Sequence, residues 1–464
     1  MDRRQFIIAK ESYCADEFLS VNLYDDWILS YHKDLKVIKN GEIFLLGHAY
    51  SVDSKLIKLD EKSISNRRNW AGRWILICKD KIYPDVCATM SLCYGYDKKK
   101  NICISSSLHL LNNILKHDRI NNYNIKYADG NGRLDYYPIP CTPIDGIYKL
   151  LPSQYIDLSL EDNHICPQQD WLSRKYSNKS REWIINQVIE KFANEFSNIA
   201  DEYGNEIWIT LTGGVDSRTI LALAKHSNIK FHVYTALRNN IKSWDQDLPV
   251  QICKRAQIDH IYIDDRFGDD NERAELFDKH CSSCAVGTER QQYIANSDVK
   301  IQNKAIVLWG TVWDAYFKSY VCCFNDMRDS NSRFDEINAK CEGILSKSNV
   351  HASSIKQWLD YIENNPNSEL DWRERFYIEQ RIAAWVGGAA QAIDLFDSIR
   401  LAPVNCQDIL ELLLSLDVAP HDKTAQKDII SICCPEIKNI RYGERDDLIY
   451  RGIRKIKKYL KIKI

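Results

Sequence analysis

Apolar residues change their spacing near residue 170 of this 464-residue chain. Up to about 165 the apolar runs are short and set between polar or turn-forming residues: Phe6-Ile-Ile-Ala, Ile43-Phe-Leu-Leu, Trp74-Ile-Leu-Ile-Cys and Ile102-Cys-Ile-Ser. Runs of this kind predict β-strands. One hairpin-like unit runs from Ala71-Gly-Arg-Trp through Asp80-Lys-Ile-Tyr, and a short helix is expected over 110–115. The stretch 161–170 has no strong period and reads as a connector. From 180 to 200, Trp183, Ile184, Val188, Phe192, Phe196 and Ile199 recur at helical spacing. Strands at 207–210, 231–235, 260–263 and 305–308 then alternate with helices at 217–226, 247–257 and 271–281. Short apolar strands between helices predict a parallel sheet covered on both faces. Beyond about 335 the pattern is mainly helical, most clearly over 376–396 and 409–416.

The length calls for two domains, placed at 1–165 and 166–464. Hydrophobic residues make up 45% and charged residues 27%, the balance of a globular protein. With 62 Lys and Arg against 64 Asp and Glu, no global charge attracts nucleic acid, and no such partner is expected. The tail over 451–464 is basic and amphipathic. It reads as a solvated helix ahead of a nucleic-acid or membrane arm, because Tyr459 is the only aromatic among its charges. No apolar run approaches spanning length, so no membrane insertion is expected. The chain opens Met1-Asp-Arg-Arg before only a short apolar run, and its 16 cysteines are scattered. Together these predict reduced thiols in a cytoplasmic protein. His280-Cys281-Ser-Ser-Cys284 has the spacing of half a zinc site, and Cys322-Cys323 could supply another pair in space, but no second spaced Cys-x2-Cys appears, so buried thiols are the better reading.

The chemistry concentrates in Ile207-Trp-Ile-Thr-Leu-Thr212-Gly213-Gly214-Val-Asp216-Ser217-Arg218, which reads as a buried strand, a glycine turn and a helix start. Gly213 and Gly214 put no side chain over the turn. Consecutive backbone N–H groups and the positive end of the next helix then face any anion. Thr212 and Ser217 add hydroxyls. Asp216 would repel a polyphosphate unless a magnesium ion lay between them. The lysine of a Gly-x4-Gly-Lys-Ser/Thr loop is missing, which disfavours a kinase or NTPase of that type. A plain turn into a helix is the alternative.

In this loop the chain resembles the asparagine synthetase superfamily, whose Ser-Gly-Gly-x-Asp-Ser loop grips the pyrophosphate of ATP. Thr212 takes the place of the first serine, and Gly213, Gly214, Asp216 and Ser217 match directly. Phe231-His-Val233-Tyr-Thr is similar to the strand whose backbone receives adenine. Ser243-Trp-Asp-Gln-Asp247 resembles the start of the next helix. Trp309-Gly310-Thr-Val312-Trp-Asp314-Ala315 falls on the family's Ser-Gly-x-Gly-Ala-Asp-Glu segment, with Val312 on a glycine and Ala315 on the glutamate. The resemblance implies ATP and Mg²⁺ as cofactors. Nucleotide would be held by Thr212, Gly213, Gly214, Asp216, Ser217, Arg218, Val233 and Gly310, and the metal by Asp216 and Asp314. Arg400-Leu-Ala-Pro resembles the acceptor-pocket segment with its glutamate missing, which leaves Asp397 as substitute. Lys427 falls on a family lysine, and Lys438 lies near where cyclising relatives hold a catalytic lysine.

The front of the chain resembles the family's glutaminase domain through Ala71-Gly-Arg-Trp, Asp85 to Tyr94, Ser105-Ser-Ser and Thr142 to Pro152. The family's nucleophilic cysteine directly after the initiator methionine is replaced by Asp2, so no glutamine hydrolysis is expected. The implied architecture is an α+β sandwich of the N-terminal-nucleophile hydrolase type. An α/β PP-loop ATP pyrophosphatase unit (adenine nucleotide alpha-hydrolase-like) follows it, with a helical C-terminal part. The implied reaction is an AMP-forming amide ligation on a small molecule or peptide bearing a carboxylate and an amine, with a pathway protein as a candidate partner. Transfer to a non-amine nucleophile and a non-catalytic nucleotide-binding scaffold are the alternatives.

Overall fold

The computed structural model describes residues 2–53, 56–117, 136–162, 164–237, 241–264, 301, 304–316, 327–341, 343, 345–367, 369–416, 418–419 and 422–443. The expected helix at 271–281, Cys281, Cys284, Cys322, Cys323 and the basic tail lie outside these residues.

Twelve strands come first. They are β1 Phe6–Ala9, β2 Phe18–Asn22, β3 Ile28–His32, β4 Val37–Asn40, β5 Ile43–Ser51, β6 Trp70–Cys78, β7 Lys81–Pro84, β8 Cys93–Tyr96, β9 Ile102–Ser105, β10 Ile147–Lys149, β11 Gln154–Asp157 and β12 Ile165–Pro167. They form two six-stranded sheets, ordered β10-β8-β9-β1-β3-β2 and β12-β11-β7-β6-β5-β4, and every pairing is antiparallel. Phe6, Ile8, Leu29 and Ile104 of the first sheet share one core with Phe44, Leu46, Ile75, Ile77 and Ile82 of the second. The two sheets therefore face each other as a sandwich. Ser107 caps the short helix Leu108–Leu115, as the expectation over 110–115 required.

Helix α1, Arg181–Tyr203, is capped by Ser180 and buries the apolar stripe read from the sequence, including Ile184, Val188, Phe192, Phe196 and Ile199. After it come β13 Ile207–Thr210, α2 Val215–His226, β14 His232–Leu237, α3 Ser243–Ala256, β15 His260–Asp264, β16 Ile306–Leu308 and β17 Ile399–Leu401. These five strands form one parallel sheet, ordered β15-β14-β13-β16-β17. The last strand was not expected, because three residues around the polar Arg400 show no strand period. Its ladder to β16 makes it one.

The C-terminal part is helical. The helix expected over 376–396 runs instead from Trp372 to Ile393, and its middle, Phe376–Val386, is wound as a π-helix. Helices α4 Gln407–Leu414 and α5 Thr424–Cys433 follow, and α5 packs along α2. Among the described residues no helix is long and apolar enough to cross a membrane.

The sandwich is fixed to the rest by polar contacts at depth. Asn405 accepts Gly72 N–H through its backbone, and its amide donates to Gly72 O, Asp85 and Thr89. Arg73 grips Asp394 with two bonds of 2.7 and 2.9 Å, a fork matched to a carboxylate. Arg3 reaches Asp397, and the buried Arg4 donates to the carbonyls of Asp397 and Ser398.

Candidate functional site

Strand order locates a crevice before any residue is considered. From β13 the chain builds outward through β14 to β15, then returns to the other side of β13 with β16. In open parallel sheets, ligands bind beyond the carboxyl ends of the strands at such a reversal. The segment 211–216 leaves β13 there, and 309–315 leaves β16.

The two segments touch. A Cβ on Gly310 would lie 2.8 Å from Ser217 N and 3.0 Å from the Asp216 carbonyl carbon, so the close approach requires glycine. Gly214 is the N-cap of α2 and offers no side-chain cap, which leaves the first-turn amides directed at the crevice. The other amides of the turn are already paired, within it or to α3. Thr212 N–H donates to Ser217 Oγ at 3.1 Å, and the two hydroxyls meet at 3.1 Å. Gly214 N–H leans on Thr212 Oγ1 at 3.3 Å, and Gly213 N–H donates to Asp245 Oδ1 at 2.8 Å. A Cβ on Gly213 would meet Trp244 O at 2.7 Å, so this glycine seats the turn against α3.

Asp216 is half-buried. It accepts from Gln426 Nε2 at 2.8 Å and lies 3.7 Å from Lys423 Nζ. Burial raises its pKa, the Asp314 charge raises it further, and Lys423 and Gln426 oppose both. The two carboxylates are therefore electrostatic neighbours, a pair that a divalent cation would relieve. Asp314 accepts from Tyr377 OH at 2.8 Å. Around the pair, Thr311 Oγ1 and Gln426 Oε1 are buried without a partner, which leaves polar capacity for a ligand. No group of three or more His, Cys, Asp or Glu gathers to hold a metal among the described residues. Two carboxylates suit Mg²⁺ when phosphate oxygens and water complete its shell.

Val312 has φ +77°, in the left-handed region, and its side chain is buried. For a β-branched residue that backbone is an outlier of the kind stored at functional sites.

Five expected residues are placed away from the phosphate-facing turn. The side chain of Arg218 is fully buried behind the turn, donating to Ile440 O at 2.7 Å and Arg441 O at 2.9 Å, with its guanidinium over Tyr442. It latches segment 440–443, whose Gly443 N–H bonds Gly213 O, and burial lowers its pKa to about 10. Val233 is a core residue inside the ladder, flanked by Ile209 and His260, so its backbone is committed to the sheet. Asp397 pairs with Arg3 of the sandwich at 2.6 Å. Lys438 is exposed at the end of a single turn, Pro435–Ile437. Lys427 is exposed and lies over the Tyr442 ring.

Lys423, Gln426, Tyr377 and Asp245 were missed. Asp245 lies within Ser243–Asp247, which was read only as a helix start, and Lys427, one turn beyond Lys423, was singled out in its place.

At the front of the sandwich, Asp2 has φ +43° and is buried, with its carboxylate 3.1 Å from His109 Nδ1. All cysteines among the described residues are free thiols, most of them buried. No family model matches the chain, and no curated protein matches it.

Proposed function

We propose that this protein is an ATP-dependent, AMP-forming ligase that activates a substrate carboxylate as an acyl-adenylate for attack by an amine. One observation carries the reading. Gly310 packs on Asp216 and Ser217, so two carboxylates from neighbouring strand ends share a crevice with an uncapped helix N-terminus.

In this reading, Thr212, Gly214 and Ser217 line the pyrophosphate position, and the first-turn amides of α2 bind its oxygens. Asp216 and Asp314 would hold Mg²⁺, which supplies charge neutralisation between carboxylates and phosphates when bound. Gln426 and Lys423 orient and partly balance Asp216. Fixed positive groups of this kind stabilise charge on a transferring phosphoryl group without reorganising at the moment of reaction. Arg218 acts behind the turn as its support. The backbone strain at Val312 is consistent with a position that favours glycine. Nitrogen comes from the substrate's own amine or free ammonia.

Buried Ala315, where the family carries glutamate, favours a second reading: a nucleotide-binding member without turnover. The test is to incubate the protein with ATP, Mg²⁺ and extract of its own cells, with hydroxylamine as a trap for acyl-adenylates, and to follow AMP, pyrophosphate and hydroxamate. AMP formation that disappears in Asp216→Ala supports ligation. ATP binding with no AMP or hydroxamate supports the second reading. No ATP binding refutes both.

A further inference from the structure

The π-helix over Phe376–Val386 touches both the N-terminal sandwich and the crevice. π-Helices usually survive only as single-turn bulges, often at functional sites, because their hydrogen bonds close over five residues instead of four. An eleven-residue stretch needs outside support, and the sandwich gives it at three points. Lys149, wholly buried at the end of β10, donates from Nζ to Ala383 O at 2.8 Å. The Gln380 amide accepts Ile139 N–H and donates to Ile139 O, both at 2.8 Å. Ser153 Oγ donates to buried Glu379, whose other oxygen accepts from Trp358 Nε1 at 2.6 Å. Just beyond the π-stretch, Gly387 lies under the Ala88 and Thr89 carbonyls, where an added Cβ would crowd both. At the other end of the same element, Tyr377 OH holds Asp314.

We propose that the sandwich works as a strut that keeps this helix in its π-form, and that Tyr377 is thereby a positioning residue aiming the Asp314 carboxylate at Asp216. The metal half of this inference rests on the reading of the Asp216–Asp314 pair given above. Rewinding the stretch at 3.6 residues per turn would rotate its side chains against one another. Tyr377 could then no longer reach Asp314 while Gln380 and Ala383 kept their sandwich partners. The sandwich thus has a task that requires no nucleophile of its own.

Two full-length variants test it. Lys149→Met keeps side-chain length and removes the donor to Ala383. Tyr377→Phe removes only the hydroxyl. Two quantities are measured: backbone hydrogen exchange, and the Mg²⁺ concentration at half-maximal binding of ATP. In Lys149→Met, exchange is expected to accelerate about tenfold across 376–386 and 313–316 and to stay unchanged in α1. Both variants are expected to raise the Mg²⁺ midpoint, by about tenfold as for other residues that orient a metal ligand. Tyr377→Phe should do so with exchange over 380–386 unchanged. If Lys149→Met does not fold, Ser153→Ala takes its place. Unchanged exchange at 313–316 on loss of the sandwich contact overturns the proposal, as does an unchanged Mg²⁺ midpoint in a Tyr377→Phe protein that binds ATP. If the parent protein binds no MgATP, the ligase reading fails on its own. Exchange at 313–316 in the two variants then decides the strut.

Discussion

Replacing Gly310 with alanine adds one methyl group at the point where the two crevice segments meet. The new Cβ would stand 2.8 Å from Ser217 N, 2.9 Å from Ser217 Cα and 3.0 Å from the Asp216 carbonyl carbon. All three are backbone atoms, so no flexible side chain can swing aside. Either 309–311 or the start of α2 must retreat by several tenths of an ångström. Overpacking of this kind costs about 1–3 kcal/mol. Restricting the unfolded chain returns about 0.4–1 kcal/mol. A net loss of about 1–2 kcal/mol follows. The same displacement separates Asp216 from Asp314. Since a 1 Å misplacement costs about 100-fold in rate, half of that predicts a loss of about tenfold in AMP formation. Urea unfolding and an AMP assay on the same preparation check both numbers. A Gly310→Ala protein that unfolds at the parent midpoint and keeps full activity would refute the claimed contact and the shared crevice built on it.

Three further outcomes are expected. Asp408 is held by Lys175, Lys191 and Tyr176, and despite burial its pKa is lowered to about 2. Its contribution is present above the unfolded value and lost as pH falls through about 2. Asp408→Asn should therefore cost about 2–3 kcal/mol near neutral pH and almost nothing by pH 2, as read by urea unfolding across pH. Glu195 is fully buried on α1, neither of its oxygens has a partner, and burial raises its pKa well above the usual carboxylate range. A raised carboxyl contributes stability that is lost as pH rises, so Glu195→Leu should gain stability over the parent, and the gain should grow from pH 5 toward pH 8; a constant difference would contradict the buried acid. Val312→Gly loses a buried side chain worth about 1.5–3 kcal/mol but relieves about 1–2 kcal/mol of left-handed strain. A new glycine also frees the unfolded chain, at a further cost of about 0.4–1 kcal/mol, so the variant should lose about 1–2 kcal/mol, whereas Val307→Gly in β16, with no such strain, should lose markedly more.

The local sequence determined much of the fold. Short apolar runs in the first 165 residues became strands. The stripe from Trp183 to Ile199 became a helix, and the alternation from 207 to 308 became a parallel sheet. Each is a periodic pattern of burial that neighbouring residues report together. The turn at 212–217 was legible for the same reason, because two glycines after a buried strand and before a helix form a local signal.

Tertiary structure decided what that turn faces. Gln426 meets Asp216 across 210 residues, and Tyr377 meets Asp314 across 63. No short-range period encodes either distance. Arg218 shows the same limit from the other side. An arginine in the first turn of α2 looks made for phosphate, yet the packing of segment 440–443 turns it to the back. Several elements escaped sequence reading, among them β12, which lies inside the stretch 161–170 read as a connector and is a strand because β11 pairs with it. β17 is a strand only because β16 offers it a ladder, and the π-helix departs from the α-period because contacts from a distant sandwich hold it there. The sequence determined which segments could be strands, helices and an anion-facing turn, because those depend on neighbours along the chain. Only the assembled fold determined which side chains complete the crevice, because that depends on which surfaces meet when the core closes.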